Sequence, residues 1–239
     1  MSYDTVIFDM DGVLVANSPR WVFEHAATQA LATAGVNEPT DRDQGLLSGF
    51  PMDIDAAATY FRTRYGLDLG VLWSYRERFA SANQHRAMLG GVKESFDDLG
   101  VLAELDVDLA VVSNNQHATV ESVVRHYDIE RHFDAWFGLP PTLQGVRRRK
   151  PAPWYLEVAH EAVNGGTSLY VGDKESDVQA ATRAGMDSAL ISRTGNSPDS
   201  DVDPTHHITS LADLPALVEN PGGCVEHDSE ATRSIGGGG

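Results

Sequence analysis

The chain has 239 residues, 41% of them apolar, which is enough for one large core or for a core with an inserted unit. Eighteen basic residues against 35 acidic ones give a net charge of −17, a balance that argues against nucleic acid and anionic membrane surfaces as partners. No apolar run approaches the roughly 20 residues that span a bilayer, the start of the chain enters a strand with no signal-peptide core, and the single cysteine, Cys224, excludes an internal disulfide framework. The expectation is a soluble cytoplasmic protein.

The first apolar run, Val6-Ile7-Phe8, predicts a short buried strand and leads straight into Asp9, Asp11 and Gly12. Two unpaired carboxylates at the end of a buried strand repel each other, and apolar surroundings penalise both. Either positive charge sits between them or they lie exposed at the mouth of a sheet. Gly12 permits a positive φ or a close backbone approach there.

From about 17 to 86 the pattern becomes helical. Trp21, Val22, Phe23, Ala26, Ala27, Ala30 and Leu31 recur at helical spacing before Gly35; a second stretch runs from Asp53 towards Tyr65, and a third from Leu69 to His85. This segment shows no strand pattern and reads as a small helical insert. Beyond it the chain alternates. A helix over about 92–105 precedes a strand over 107–113, a helix over 117–127, a short strand near 135–137 and the basic loop Arg147-Arg148-Arg149-Lys150. A helix over 153–163, a strand over 168–172, a helix over 175–184 closed by Gly185, a strand over 188–191 and a helix over 211–218 follow. Alternating strands and helices imply an α/β fold, a doubly wound parallel sheet covered on both faces. The expected division is a core of 1–16 with 87–220, a helical cap of 17–86, and a Gly-rich tail of 221–239 that should be disordered.

Three further signals accompany the Asp9/Asp11 pair. Ser113-Asn114 follows Val111-Val112 and offers a hydroxyl, an amide and free N–H groups where a strand gives way to a helix, an anion site or an ordinary helix cap. Lys150 precedes Pro151 and is one of only three lysines, with Lys93 and Lys174, against fifteen arginines. A compact ammonium there suits a phosphoryl oxygen beside a carboxylate. Gly172-Asp173 and Asp177 again end a buried strand in acids, which could bind a hard cation or cap the next helix. Three of the four signals sit at strand C-termini, the edge where open α/β sheets bind ligands. Carboxylates, a lysine and an anion cradle suit Mg²⁺ with a phosphoryl group.

Asp9-Met10-Asp11-Gly12-Val13-Leu14, Ser113-Asn114, Lys150-Pro151 and Gly172-Asp173 with Asp177 resemble the four motifs of the haloacid dehalogenase superfamily, and the insert resembles the helical cap of its phosphoglycolate phosphatase and β-phosphoglucomutase subfamily. The resemblance covers about 1–218. It implies Asp9 as nucleophile, Asp11 as general acid and base, and Mg²⁺ held by Asp9, the Asp11 main-chain carbonyl and Asp173. Ser113, Asn114 and Lys150 would bind the phosphoryl oxygens, and Asp177 would orient Lys150 or a metal water. Val13 stands where threonine is common, and Ala16-Asn17-Ser18-Pro19 departs from the usual hinge sequence. Gly49, Phe50 and Met52 fall in the stretch that resembles the substrate-specificity loop, with Met52 where β-phosphoglucomutases carry arginine. The implied function is a Mg²⁺-dependent phosphatase acting on a small phosphorylated metabolite. A phosphomutase is the alternative within the family, and a phospho-accepting receiver-like signalling protein or a catalytically silent interaction protein the alternative outside it. A dehalogenase is disfavoured because it would lack the second acid that Asp11 supplies.

The acid excess and scarce lysine also resemble proteins of salt-accumulating halophiles. Screening relieves repulsion among surface carboxylates, so stability should rise with KCl towards molar concentration. Thermal melts in low and molar salt measure this, and a flat or falling melting temperature would contradict it.

Overall fold

The computed structural model describes residues 2–163, 165–193 and 202–219; Cys224 and the stretch 221–239, expected to be disordered, lie outside them. Six strands form one parallel sheet: β1 (Thr5–Phe8), β2 (Asp108–Gln116), β3 (Ala135–Leu139), β4 (Ser168–Gly172), β5 (Asp187–Ile191) and β6 (His206–Ile208). Their spatial order is β3-β2-β1-β4-β5-β6. Thr5–Phe8 runs beside Asp108–Val111 on one side and Ser168–Val171 on the other. The chain winds one way from β1 to β3 and the other way from β4 to β6. That reversal leaves a crevice beyond the C-terminal ends of β1, β2 and β4.

Four helices lie between β1 and β2: α1 (Arg20–Thr33), α2 (Asp41–Ser48), α3 (Ile54–Tyr65) and α4 (Leu69–Leu89). The rest alternate with the strands: α5 (His117–His126), α6 (Leu143–Arg147), α7 (Trp154–Ala162), α8 (Glu175–Ala184) and α9 (Leu214–Glu219). No described helix is long and apolar enough to cross a membrane.

Alternate side chains of a strand point to opposite faces, and both faces of this sheet are covered. Val6, Phe8, Val111 and Val171 pack with Val120, Val123 and Val124 of α5 and Leu214 and Leu217 of α9. Ile7, Ala110, Val112 and Tyr170 pack with Leu156 and Ala159 of α7 and Ala180 and Ala181 of α8. Burial of each large apolar side chain contributes about 1.5–3 kcal/mol. The inserted helices have a separate apolar cluster of Ala30 and Leu31, Leu47, Phe61, Leu72 and Trp73, joined by Val146 of α6. Asp53 caps α3 by accepting from the Ala56 N–H, and Asp68 caps α4 by accepting from the Val71 N–H.

Several elements differ from the sequence expectation. Residues 92–105 are not an α-helix; only Asp97–Ala103 coils, as a 3₁₀ helix. The stretch before it is tied to the chain leaving β1, with Ala16 N–H donating to Glu94 O (2.8 Å) and Phe96 N–H to Leu14 O (3.2 Å). Those partners replace the i→i+4 bonds a helix would need. The second strand runs on to Gln116, and its register against β3 shifts between Val112 and Gln116. The short elements α2, α6 and β6 carry no apolar period for a sequence reading to find. A capping box between Thr40 and Asp43 starts α2 instead.

Asp43 is buried and accepts from Thr40 N–H and Oγ1 (both 2.6 Å), Tyr60 Oη (2.8 Å) and Tyr65 Oη (2.7 Å). Burial pushes its pKa up, but those hydrogen bonds outweigh it and hold the carboxyl at about 2. A folded value below the unfolded one gives stability that is full above about pH 4 and lost as pH falls towards 2. Asp43→Ala should cost about 3 kcal/mol at neutral pH, since two tyrosine hydroxyls lose their acceptor. Urea unfolding reads that loss, and the gap from the parent should narrow between pH 4 and 2.

Candidate active site

Asp9 follows β1, Asp173 follows β4, and Asp177 lies in the first turn of α8. The local backbone exists to let them converge. Gly12 has φ +86°, and a Cβ there would lie 2.1 Å from Asp173 Oδ2. A Cβ on Gly172 would lie 2.3 Å from the Asp177 Cβ. Neither position tolerates a side chain.

Lys150 supplies the charge that lets the acids stay together. Its ammonium is 3.0 Å from Asp9 Oδ1 and 2.8 Å from Asp177 Oδ1. It also donates to Val112 O (3.2 Å) and Tyr170 Oη (2.5 Å), and Tyr170 Oη donates in turn to Val112 O. Burial pulls the Lys150 pKa down, but Asp177 and Asp9 outweigh it and leave it above the ordinary value. Burial pushes Asp177 up to about 6, against the pull of Lys150. Asp173 is also raised, chiefly by burial. The Asn114 side chain clamps the Lys150 main chain at both ends: Nδ2 donates to Lys150 O (3.1 Å) and Oδ1 accepts from Lys150 N–H (2.9 Å). Asn114, which the resemblance assigns to phosphoryl binding, also lines the cavity in front of Asp9. Ser113 is buried and its Oγ accepts from Asn115 N–H (3.2 Å).

The other two lysines are at the same site, and the sequence reading assigned them no role. Lys174 Nζ is 3.1 Å from Asp173 Oδ1. Lys93 is completely buried and donates to Asp11 Oδ1. The scarcity of lysine was the available signal, since all three pair with acids of this site. Tyr170 looked like an ordinary strand residue, and nothing local marked its hydroxyl.

A cavity of about 370 Å³ opens in front of these residues. Its wall includes Asp9, Asp11, Ser113, Asn114, Lys150 and Asp177 from the sheet side, and Phe23, Gly49, Phe50 and Arg76 from the inserted helices. Of the three specificity candidates, Gly49 and Phe50 line the cavity, whereas Met52 is fully exposed and does not. Arg76, unmarked in the sequence, is buried on α4. It donates to Leu47 O (2.9 Å) and Ser48 O (3.3 Å) and pairs with the buried Glu77. It thereby fixes the chain just before Gly49.

Asp9, Asp173 and Asp177 each bring a carboxylate oxygen to within 4.8 Å of the others. Asp173 Oδ1 and Asp177 Oδ1 are buried and accept no hydrogen bond, facing ammonium groups outside hydrogen-bond geometry. Hard oxygen donors with spare lone pairs fit Mg²⁺. The Asp11 carboxylate stands apart from this cluster, turned to Lys93.

The sequence model of the haloacid dehalogenase-like hydrolases matches residues 6–191. A 5'-nucleotidase of Pseudomonas aeruginosa is 26% identical over 92% of this chain and 97% of its own length. A phosphoglycolate phosphatase of Pseudomonas syringae pv. tomato is 25% identical over 94% of this chain and 81% of its own. In fold, the chain is similar to CbbY from Rhodobacter sphaeroides, solved in complex with phosphate, with a TM-score of 0.62, 18% identity, and coverage of 91% of this chain and 99% of that one.

Lys150→Met would leave Asp9 and Asp177 buried and facing each other without a cation. Breaking a buried pair on one side costs about 3–5 kcal/mol. Denaturant unfolding should show that loss, and Lys150→Met/Asp177→Asn should regain a large part of it. Unchanged stability in the single variant would contradict the charge-neutralising role of Lys150.

Proposed function

The chain belongs to the haloacid dehalogenase-like hydrolases, and from that premise we propose that it is a Mg²⁺-dependent phosphatase that cleaves a small phosphomonoester through a phosphoaspartate on Asp9. The observation that carries this reading is the meeting of Asp9, Asp173, Asp177 and Lys150 beyond the ends of β1 and β4, beside Ser113 of β2.

Asp9 Oδ1 is taken by Met10 N–H (2.7 Å) and by Lys150. Among the described residues Oδ2 accepts no hydrogen bond, and it is the oxygen that attacks phosphorus. As the new O–P bond forms, the bond to the leaving oxygen breaks and Asp11 gives that oxygen its proton. Asp11 then takes a proton from the water that attacks the phosphoaspartate, which releases phosphate and restores Asp9. Ser113 and Lys150 hold the phosphoryl oxygens, and Asn114 keeps Lys150 in register. Asp9, Asp173 and the Asp11 main-chain carbonyl would hold Mg²⁺, which supplies positive charge against the phosphoryl group. In phosphoryl transfer such positioning and charge neutralisation dominate the rate. Residues 17–86 act as the cap over this cavity.

The cavity wall also speaks to the leaving group. Phe23, Phe50, Asn115 and Gln116 offer aromatic faces and side-chain amides, and the arginine in the wall, Arg76, is already matched by Glu77. Lys150 and Lys174 are likewise matched by acids. A second anionic group on the substrate would meet no unmatched cation in this wall, so the preferred leaving alcohol is uncharged.

Steady-state phosphate release from a panel of phosphomonoesters, with and without chelator, tests the whole reading. Activity should require Mg²⁺, vanish in folded Asp9→Asn, and be faster with nucleoside and alkyl monophosphates than with phosphoglycolate. Full turnover after chelation would sink the metal assignment, and activity in Asp9→Asn the nucleophile. A preference for phosphoglycolate would overturn the leaving-group assignment alone.

A further inference from the structure

Lys93 is completely buried, and its one acidic partner among the described residues is Asp11. It lies 82 positions from Asp11 in the chain, on the segment that returns from α4 to the sheet. Besides Asp11 Oδ1, its ammonium reaches Ser18 Oγ (3.0 Å) and Ala16 O (3.4 Å) on the outgoing segment. Ser18 Oγ donates to Gln84 Oε1 (2.8 Å), and Gln84 Nε2 donates to Asn115 Oδ1 (2.9 Å) and Gln116 Oε1 (3.0 Å). Gln84 is buried on α4, and Asn115 and Gln116 end β2. A single chain of polar contacts thus runs from the second acid, through both connections to the inserted helices, into α4, and back to the sheet beside Ser113.

Ordinary structural needs do not account for this arrangement. A fully buried ammonium is expensive, and an apolar side chain of the same length would fill the space at less cost. A carboxylate on its own can rotate about its side-chain bonds. One bond to Lys93 removes that freedom at Oδ1, while Oδ2 takes no hydrogen bond among the described residues and stays open to the cavity that Asp11 lines.

We propose that Lys93 is a positioning residue that fixes the Asp11 carboxylate for proton transfer to the leaving oxygen, and that the Ser18–Gln84 chain makes this position depend on α4 being seated against the end of β2. The proposal rests on the reading of Asp11 as general acid and base. Misplacing a catalytic group by about 1 Å can cost about 10²-fold. That loss falls where the group is needed, on leaving groups that must be protonated.

The test is single-turnover rates for Lys93→Met, Ser18→Ala and Gln84→Leu with an alkyl phosphate and with nitrophenyl phosphate, beside Asp11→Asn and Lys93→Met/Asp11→Asn. Nitrophenolate leaves without a proton, so Lys93→Met should lose about 10²-fold with the alkyl phosphate and much less with the nitrophenyl ester, at similar KM. The double variant should be no slower than Asp11→Asn, because Lys93 acts through Asp11. Ser18→Ala and Gln84→Leu should show the same selectivity in smaller measure, and they carry the test if Lys93→Met does not fold. Equal losses on both substrates, or additive losses in the double variant, would overturn the role of Lys93. Unchanged selectivity in Gln84→Leu would overturn the dependence on α4. If Asp11→Asn itself shows no leaving-group selectivity, the acid assignment has failed, which is a separate result from failure of Lys93 alone.

Discussion

The ammonium of Lys150 lies between Asp9 and Asp177, and much of the surrounding structure serves to keep it there. At 3.0 and 2.8 Å from two buried carboxylates it neutralises what would otherwise be mutual repulsion in a low-dielectric site. The pair of acids cannot be buried without it, and it cannot be buried without them. Its main chain is clamped by Asn114 and its head is braced by Tyr170 and Val112 O. Asp9 after β1, Val112 in β2, Tyr170 in β4 and Asp177 at the start of α8 therefore meet on a side chain that belongs to the loop after α6.

That convergence follows from topology. β1 lies between β2 and β4 because the chain reverses its winding direction after β3. Only at this reversal do three strand ends from distant parts of the sequence face the same space with no crossover helix of the sheet covering it. The helices inserted between β1 and β2 leave and return beside the same edge, with Ala16 and Glu94 joined by a main-chain hydrogen bond. They supply a roof without interrupting the sheet. Arg76, tied to Leu47 O and Ser48 O, shows how that roof is kept in shape where it meets the cavity.

The parts of this design that were legible in the sequence are those encoded locally. The strand over 168–172 and the helix over 175–184, with Gly185 in the left-handed conformation at φ +71°, agree with the reading residue for residue, because apolar run, cap and glycine stand next to one another. Asp9, Asp11, Ser113, Lys150, Asp173 and Asp177 could be picked out as candidates because each sits near a strand end or in a marked loop. What escaped was set by distant contacts. Residues 92–96 pair with the segment leaving β1, which no local pattern announces. Asn114 turns to Lys150 across 36 positions, and Lys93 reaches Asp11 across 82. The helix α2 has an acid, Asp43, where a helix usually buries an apolar side chain, so its period was invisible.

The same chain uses its two kinds of cation differently, and the reason is geometric. Arginines outnumber lysines fifteen to three, and arginines such as Arg20, Arg125 and Arg131 form exposed pairs with acids on or near their own helices. Exposed pairs of this kind contribute little and are screened by salt. All three lysines instead face acids of one site. A guanidinium is a flat fork suited to one carboxylate at a time, whereas a compact ammonium can stand between two carboxylates and still donate to a carbonyl and a hydroxyl. Lys150 does this within about 3 Å on every side, a space that admits no water or counterion between the partners. Salt that screens the −17 surface therefore has no access to the pairs inside. The electrostatics of the exposed surface and those that arrange the site are separated by burial, so salt can change the first while the second stays set by distance.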